Sequence, residues 1–543
     1  MPDDGSKRYL GRQGRGSPVI RSVARTSEPA PDRLASRAHI HQRLRSNSGL
    51  IVATRVATAC LSLATLPVVI SRLGIANYGI WEALLAFATL SGLFQTAVSG
   101  TLVWRMSEAY GRGDHAEIGR LARVGAGIWL ALLLALWPAA WFLREPIVRF
   151  LGVSPETVPL AAAMFPVVAA FTLLGGACET LEAIVSGSQR TGLVNVVGAA
   201  AQALNYSVVI ALTLMGHGLW SLVAGQGVGV ATRLAGAAAA ARFSFGPFSL
   251  APLAPTAVDW THGRYAGFLM IGSVAAGLRG QTDKIVLASL ASPQWVGYYG
   301  IAARLSGLVM EVIAFVYVPI LTAVGALNAM GDWEGVRRMY TRLMSTISLL
   351  TGLIVVLVAG LADRLVVLWL GHPIPEVTLL LWLLMIGNTT AVILTGPGTA
   401  ICRGCGRAGI ETTYLAVNLV LNLGLTIALV MLIGPIGTAV ATGVTWAVSS
   451  VLFLFVLHRR LDLPVAASRR AAETALLASA LAVAVYFTSH LFALPGGRRE
   501  ALLSLLWWGT ASGAVYVGLV ASLGFVSLGE AYDSLRALVH RAG

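Results

Sequence analysis

The sequence predicts an all-α integral membrane protein with 14 transmembrane helices. Of its 543 residues, 56% are hydrophobic and only 12% are charged, against roughly 25% charged residues in an average soluble domain. Long apolar stretches recur along the chain, and the basic residues concentrate in alternate loops between them. These three observations exclude a soluble enzyme, a disulfide-rich secreted domain and a disordered protein.

Apolar stretches long enough to be membrane spans occur 14 times, because a helix that crosses the hydrocarbon core needs about 20 mostly apolar residues. The predicted spans are 49–70, 78–104, 124–143, 157–185, 193–215, 219–241, 265–290, 296–327, 343–361, 377–401, 412–433, 436–457, 473–493 and 501–524. Several exceed the length of a straight crossing, so tilt or kinks are expected. The span at 265–290 is unusual, because it contains Arg279, Asp283 and Lys284.

The basic residues predict that both termini are cytoplasmic, because positively charged loops stay on that side. With the N-terminus inside, 28 of the 39 Lys and Arg residues fall in cytoplasmic segments and six fall in external ones. Ten belong to residues 1–46, which are rich in Arg, Ser, Pro and Gly. This composition predicts a disordered tail, with contact to anionic lipid as the alternative. The net charge of +14 is therefore a topology signal and does not indicate a nucleic-acid partner.

An internal repeat relates the two halves of the chain. Tyr78-Gly79-Ile80 recurs as Tyr299-Gly300-Ile301, and each copy opens a long span that ends at a Gly-Asp pair. The residues that recur further along are Gly187, Arg190, Gly192 and Asn205, which return as Gly404, Arg407, Gly409 and Asn422. Because each unit has an even number of spans, the repeat is parallel. We expect two six-helix bundles with a cleft between them.

The predicted domain organisation follows from this repeat. It comprises a basic cytoplasmic tail (1–46), a first six-helix bundle (47–242), a cytoplasmic linker (243–263), a second six-helix bundle (264–460), and two additional helices with a C-terminal tail (461–543). Two parallel bundles around a central cleft are the geometry of transporters that work by alternating access.

Ionisable residues inside the predicted spans are the candidates for function, because each would cost roughly 2.5–3.5 kcal/mol if it faced lipid. They are Arg55, Arg233, Arg279, Lys284 and Arg304, with Glu82, Glu179, Glu182, Asp283 and Glu311. Glu182 and Arg233 lie near a cytoplasmic helix end, so we expect them to extend to the membrane surface. We expect Arg279 to pair with Asp283, because residues i and i+4 share a helix face.

The first, seventh and eighth predicted spans carry most of these residues, and we expect them to line the cleft. A planar guanidinium suits a phosphate group, and we predict an anionic ligand bound by Arg55, Arg279, Arg304 and Lys284. The residues predicted to couple transport to an ion, or to orient the arginines, are Asp283, Glu311 and Glu82. The alternative is that these side chains form structural ion pairs that hold the bundles together.

Two further sequence features carry little weight. Cys402-x-x-Cys405 lacks the second pair that a metal site would need, so no metal is predicted. The chain has no Walker sequence, so ATP is not the expected energy source, and no cofactor is predicted.

Several motifs resemble those of the polysaccharide-lipid (O-antigen type) flippases of the multidrug/oligosaccharidyl-lipid/polysaccharide exporter superfamily. They are Leu73-Gly74 with Tyr78-Gly79-Ile80-Trp81, Ser107-Glu108-Ala109-Tyr110-Gly111-Arg112-Gly113-Asp114, Asp283-Lys284-Ile285-Val286-Leu287, and Val296-Gly297-Tyr298-Tyr299-Gly300-Ile301-Ala302. The resemblance runs from about residue 46 to residue 460 and agrees with the predicted helix count.

This resemblance implies a flippase of the bacterial inner membrane. Its expected substrate is an undecaprenyl-pyrophosphate-linked oligosaccharide, moved from the cytoplasmic to the periplasmic leaflet for surface polysaccharide or exopolysaccharide synthesis. A proton or sodium gradient would supply the energy, and the expected partners are membrane lipids and other polysaccharide assembly proteins. Cations in the cavity would meet the pyrophosphate and the sugars.

Three alternatives remain open. One is a drug/cation antiporter of the same fold, although the first predicted span carries no acidic residue. Another is a peptidoglycan-precursor flippase. A membrane glycan polymerase or ligase would be an enzyme with a sizeable external loop, and the longest external loops, near 144–156 and 362–376, are too short for a catalytic domain. No enzymatic activity is therefore expected.

Overall fold

The structure is a computed structural model that describes residues 54, 56–188, 190–245, 251, 253, 264–492 and 494–524. The predicted tail at 1–46 and Arg55 lie outside the described residues, as does most of the linker at 243–263. For some residues inside these helices the structure describes the backbone but not the side chain. They are residues 93–97, 264–270, 273, 311–322 and 408.

The described chain is built from helices, which we number in chain order. They are α1 (Val56–Leu73), α2 (Ile75–Arg112), α3 (His115–Phe142), α4 (Arg144–Phe150), α5 (Val158–Gly187), α6 (Thr191–Leu214), α7 (Trp220–Phe245), α8 (Arg264–Leu290), α9 (Pro293–Ala329), α10 (Trp333–Gly360), α11 (Ala362–Leu370), α12 (Pro375–Thr390), α13 (Gly396–Gly404), α14 (Ala408–Ile433), α15 (Gly437–Leu461), α16 (Val465–His490) and α17 (Arg498–Ser522). A π-helical segment, Ala391–Thr395, joins α12 to α13.

Each predicted span coincides with one long helix, where α12, the π-helical segment and α13 are counted together as one helix. Ten helical segments of the described chain are long and apolar enough to cross a membrane. The other four long helices, α2, α7, α8 and α9, carry most of the charged residues predicted inside spans. An all-α, multi-pass membrane protein is therefore confirmed, while the full count of 14 spans and the cytoplasmic location of both termini stay predictions.

The repeat is visible in the turn that follows α2 and its counterpart α9. Gly113 and Gly331 adopt the left-handed conformation, with φ of 71° and 74°, which glycine accepts without steric cost. Asp114 then accepts a hydrogen bond from the backbone N–H of Glu117 at 2.9 Å. Asp332 accepts one from the backbone N–H of Gly335 at 2.7 Å. The two Gly-Asp pairs thus end one helix and cap the next in the same way.

The helices form two groups that share one apolar cluster and also pack around other apolar clusters. We call α1–α7 the first bundle and α8–α15 the second bundle. One apolar cluster contains residues from both bundles, including Tyr78 and Leu84 with Leu287 and Tyr299. Another cluster surrounds Met106 in the first bundle, and a further one joins residues of α9, α10 and α15 to α16. Among the described side chains, the bundles share a core in the first halves of α2 and α9, and we call this region the closed end.

Backbone-to-backbone contact at the closed end depends on glycine. A Cβ atom at Gly79 would lie 1.7 Å from the carbonyl oxygen of Pro293, and one at Gly297 would lie 2.5 Å from that of Ile75. The indole N–H of Trp369, on α11, donates to the carbonyl oxygen of Leu63 at 2.6 Å. These contacts join the two bundles without leaving space between them.

The two additional helices pack on the second bundle, against α10 and α11. Arg364, which is 1% exposed, donates to Ser504 at 2.7 Å and to the hydroxyl of Ser489 at 2.9 Å. Its neighbour Asp363 is 2.8 Å from the ring of His490. These residues attach α16 and α17 to α11.

Candidate functional site

A cluster of charged residues joins the bundles just inside the closed end. Glu82 lies on α2, one turn after Tyr78, and is 5% exposed. Its Oε2 accepts from the Lys284 ammonium of α8 at 2.7 Å, and its Oε1 accepts from the Tyr78 hydroxyl at 2.5 Å. Arg304 of α9 lies 3.7 Å from Oε1. We call these four residues the interbundle cluster.

The interbundle cluster has more positive than negative charge, because Lys284 and Arg304 face a single carboxylate. At 3.7 Å the guanidinium of Arg304 is attracted to Glu82 without a hydrogen bond. Its Nη1 donates to the Ser62 hydroxyl of α1 at 3.1 Å, and a guanidinium carries five donors in all. Arg304 is 32% exposed and Lys284 is 20% exposed at their side chains. Both cations therefore remain accessible to an anion.

Asp283 forms a second polar site, inside the second bundle. This carboxylate is 2% exposed. It accepts hydrogen bonds from the hydroxyls of Tyr299 at 2.6 Å, Thr442 at 2.8 Å and Thr426 at 3.3 Å. Beside it, the amide oxygen of Asn422 is buried and has no hydrogen-bond partner in the described structure. Helices α9, α14 and α15 thus converge on one acidic side chain of α8.

The expected pairing of Arg279 with Asp283 is wrong. Arg279 instead lies over the ring of Trp446, 4.4 Å from its centroid. The three hydroxyl groups around Asp283 satisfy its carboxylate without a cation. A guanidinium on an aromatic face keeps its charge and most of its N–H donors.

Glu182 and Arg233, which are expected to extend to the membrane surface, contact each other. They form a two-pronged ion pair between α5 and α7, with N···O distances of 2.7 and 2.6 Å. Because a paired guanidinium and carboxylate neutralise each other, the pair can remain inside the bundle.

The structure does not place two of the predicted residues. Arg55 lies outside the described residues, and Glu311 belongs to α9 but its side chain is not described. Of the predicted residues that it places, it brings together Glu82, Lys284 and Arg304, and it keeps Asp283 and Arg279 apart from them. Among the described residues, no three His, Cys, Asp or Glu side chains are grouped as a metal site would require.

Sequence reasoning missed the hydroxyl groups of both sites. Tyr78 and Tyr299 occupy the same place in the repeat, and each donates to a buried carboxylate, Glu82 or Asp283. Both tyrosines had been identified as repeat markers, so the signal was present. Tyr78 and Glu82 are i and i+4 on one helix, so their contact follows from local spacing. The contact of Tyr299 with Asp283 does not, because it joins two neighbouring helices.

Comparison with known proteins gives matches at the level of family and fold. Residues 122–376 match the family described as "Polysaccharide biosynthesis protein". A lipid II flippase, MurJ, in an inward closed conformation superimposes with a TM-score of 0.68, covering 87% of this chain and 99% of that one at 13% identity. An inward-facing multidrug resistance MATE transporter of the MOP superfamily gives a TM-score of 0.61, with 75% and 94% coverage at 14% identity.

The predicted resemblance is thus supported by a polysaccharide biosynthesis family match over residues 122–376 and by a fold shared with the lipid II flippase and the MATE transporter. A curated relative, the probable multidrug resistance protein NorM of Rhizobium meliloti, is 28% identical over 127 residues. That match covers 23% of this chain and only 26% of the relative's length.

Proposed function

We propose that this protein is a flippase for an undecaprenyl-pyrophosphate-linked oligosaccharide, moving it from the cytoplasmic to the periplasmic leaflet of the bacterial inner membrane. The observation that carries the proposal is the interbundle cluster, where Lys284 and Arg304 face a single carboxylate between the bundles. A pyrophosphate group is an anion that an ammonium and a planar guanidinium bind well. The family match to polysaccharide biosynthesis proteins supports a glycan as the cargo.

The proposed mechanism is alternating access, with the cluster as the anion-binding part of the cleft. Among the described side chains, the bundles share an apolar core at the closed end, while the clusters around Met106 and Val324 belong to different groups of helices. In the predicted orientation, the closed end is external and the cleft admits cargo from the cytoplasmic side. Separation of α2 from α9 would then open the cleft outward. Arg55 and Arg279 are proposed as further cations of the substrate path.

Asp283 is the proposed site of ion coupling, with Glu311 and Glu82 as further candidates. A carboxylate that is 2% exposed and surrounded by hydroxyl and amide oxygens suits a proton or Na⁺. Tyr299 links it directly to α9, which carries Arg304. Occupation of Asp283 can therefore alter the position of a helix that contributes to the interbundle cluster.

We expect Asp283→Asn to abolish stimulation of transport by an ion gradient, because an amide does not take up a proton and binds a cation more weakly. The measurement is lipid flipping in proteoliposomes with an imposed proton or sodium gradient. Thr426→Val is the matched control, since it removes only the longest of the three hydrogen bonds. Full gradient stimulation in Asp283→Asn would contradict this assignment.

A peptidoglycan-precursor flippase is the second candidate, favoured by the fold match to the lipid II flippase over 87% of the chain. The drug/cation antiporter is supported only by the short NorM match.

The decisive experiment is deletion of the gene, followed by assay of surface polysaccharide and of the lipid-linked precursor. The proposal predicts loss of polysaccharide and accumulation of its precursor in the inner leaflet. Accumulation of lipid II would favour the second candidate. Normal polysaccharide with new drug sensitivity would favour the antiporter and overturn the proposal.

A further inference from the structure

A cavity lies within the first bundle, and no residue of the interbundle cluster lines it. It has a volume of about 470 Å³, which is in the range of small-molecule binding sites. Helices α1, α5, α6 and α7 form its walls. Its polar lining consists of Thr54, Thr58, Glu182, Asn195, Gln202, Asn205, Gln226 and Arg233. We call it the amide pocket.

The chemistry of the amide pocket differs from that of the interbundle cluster. Its charged residues, Glu182 and Arg233, neutralise each other in a two-pronged ion pair. Four carboxamide side chains supply most of the remaining polar atoms. Small residues such as Gly198 and Gly229 leave the space open between them. Among the described lining residues there is therefore no excess of positive charge that would select a phosphate.

Several of these amide groups have hydrogen-bonding capacity to spare. The Oε1 atom of Gln226 is buried and has no partner in the described structure, while its Nε2 makes only a long contact of 3.5 Å to Thr172. Asn205 donates to Gln202 at 3.2 Å. A carboxamide both donates and accepts hydrogen bonds, as does a sugar hydroxyl. Buried polar atoms of this kind are costly unless a ligand or water satisfies them.

The amide pocket lies next to the interbundle cluster along two helices. On α1, Thr58 of the pocket lies one turn before Ser62, which binds Arg304. On α6, Gln202 of the pocket lies one turn before Tyr206, which interacts electrostatically with Arg304. A molecule whose anionic group is bound at Arg304 can therefore extend into the pocket.

We propose that the amide pocket binds the uncharged sugar portion of the cargo while the interbundle cluster binds its pyrophosphate. This inference rests on the proposed function and adds a separate carbohydrate site to it. The four amides and the Glu182–Arg233 pair offer both hydrogen-bond donors and acceptors, and each sugar hydroxyl can likewise donate and accept.

The test compares two lipids on the full-length protein in nanodiscs. One is the lipid-linked oligosaccharide purified from the deletion strain, and the other is undecaprenyl pyrophosphate without sugar. The variant Gln202→Met/Gln226→Met removes two amides with little change in volume. We expect it to weaken binding of the glycosylated lipid about tenfold or more, because each lost hydrogen bond contributes up to about tenfold. Binding of the sugar-free lipid stays unchanged.

Lys284→Met is the matched comparison, and it should weaken binding of both lipids by similar factors. Asn195→Leu serves as an independent pocket variant, should the double variant have a lowered melting temperature. The inference is overturned if wild-type protein binds both lipids equally, or if the pocket variants weaken both lipids equally or neither. Failure of wild-type protein to bind either lipid would instead overturn the proposed function, and the inference with it.

Discussion

At the scale of single residues, the interbundle cluster combines a structural and a ligand-binding arrangement. Each oxygen of Glu82 accepts a hydrogen bond, one from Tyr78 and one from Lys284, whereas Arg304 has donors to spare. The alternative drawn from the sequence, that the charges are structural ion pairs, therefore describes the Glu82–Lys284 contact well. It describes Arg279 poorly, because this residue lies on an aromatic ring and not on a carboxylate.

The Glu82–Lys284 pair gives a stability prediction. Removing one partner of a buried ion pair costs about 3–5 kcal/mol, since the remaining charge is left unpaired. We expect Glu82→Gln and Lys284→Met each to lower the melting temperature in detergent. The double variant should be more stable than the sum of the two losses implies. Additive losses would show that the two side chains do not interact.

Arg279 gives a transport prediction. Arg279→Ala should reduce lipid flipping by at least tenfold while protein level is retained, because it removes a cation proposed to lie on the substrate path. Trp446→Leu removes the aromatic partner and keeps the charge, so its loss should be smaller. Equal losses in the two variants would assign the effect to the contact between the side chains and not to the charge.

At the scale of helices, α2 and α9 pack closely because the residues at their contact are glycines, which have no side chain. Gly79 and Gly297 allow each helix to contact backbone atoms of the other bundle. Gly79 belongs to the tyrosine-glycine motif that marks the repeat in sequence, so the first copy of this motif forms part of the contact between repeats. A larger residue at either glycine would have to separate the helices.

Gly79→Ala should shift the protein away from the closed-end conformation, because its Cβ would lie 1.7 Å from the Pro293 carbonyl oxygen. Overpacking of this kind costs about 1–3 kcal/mol. The measurement is the distance between spin labels at positions 156 and 372, in a background without the native cysteines. Gly100→Ala, on the same helix and with open space around it, should leave the distances unchanged. Unchanged distances in Gly79→Ala would contradict the role of this contact.

Arg364 gives a prediction for the two C-terminal helices. Arg364→Met should lower the stability of the α16–α17 attachment, because it leaves polar groups of Ser489 and Ser504 without their charged partner. Each buried group left unpaired costs about 1–3 kcal/mol. Limited proteolysis between α15 and α16 would detect the loss. Arg499→Met, at an exposed position in the first turn of α17, is the control, and equal protease resistance in the two variants would count against the attachment.

At the scale of the whole molecule, helix positions were predictable from sequence and side-chain partners were not. Hydrophobicity over about 20 residues is a local property, and every predicted span matches a long helix. Glu82 and Lys284 are 202 positions apart, so only the packing of the two bundles brings them together. The rotation of α8 about its axis decides that Asp283 meets three hydroxyl groups while Arg279 meets Trp446. Hydropathy does not specify that rotation.

The attachment of α16 and α17 has a consequence for how motion can be observed. Because Arg364 and Asp363 fasten these helices to α11, we expect them to tilt with the second bundle as one body in the proposed alternating-access cycle. A fluorophore on the exposed face of α17 would report that tilt from a position remote from the cargo. A protein that binds this face would restrain the tilt of the second bundle and would arrest the proposed transport cycle without entering the cleft.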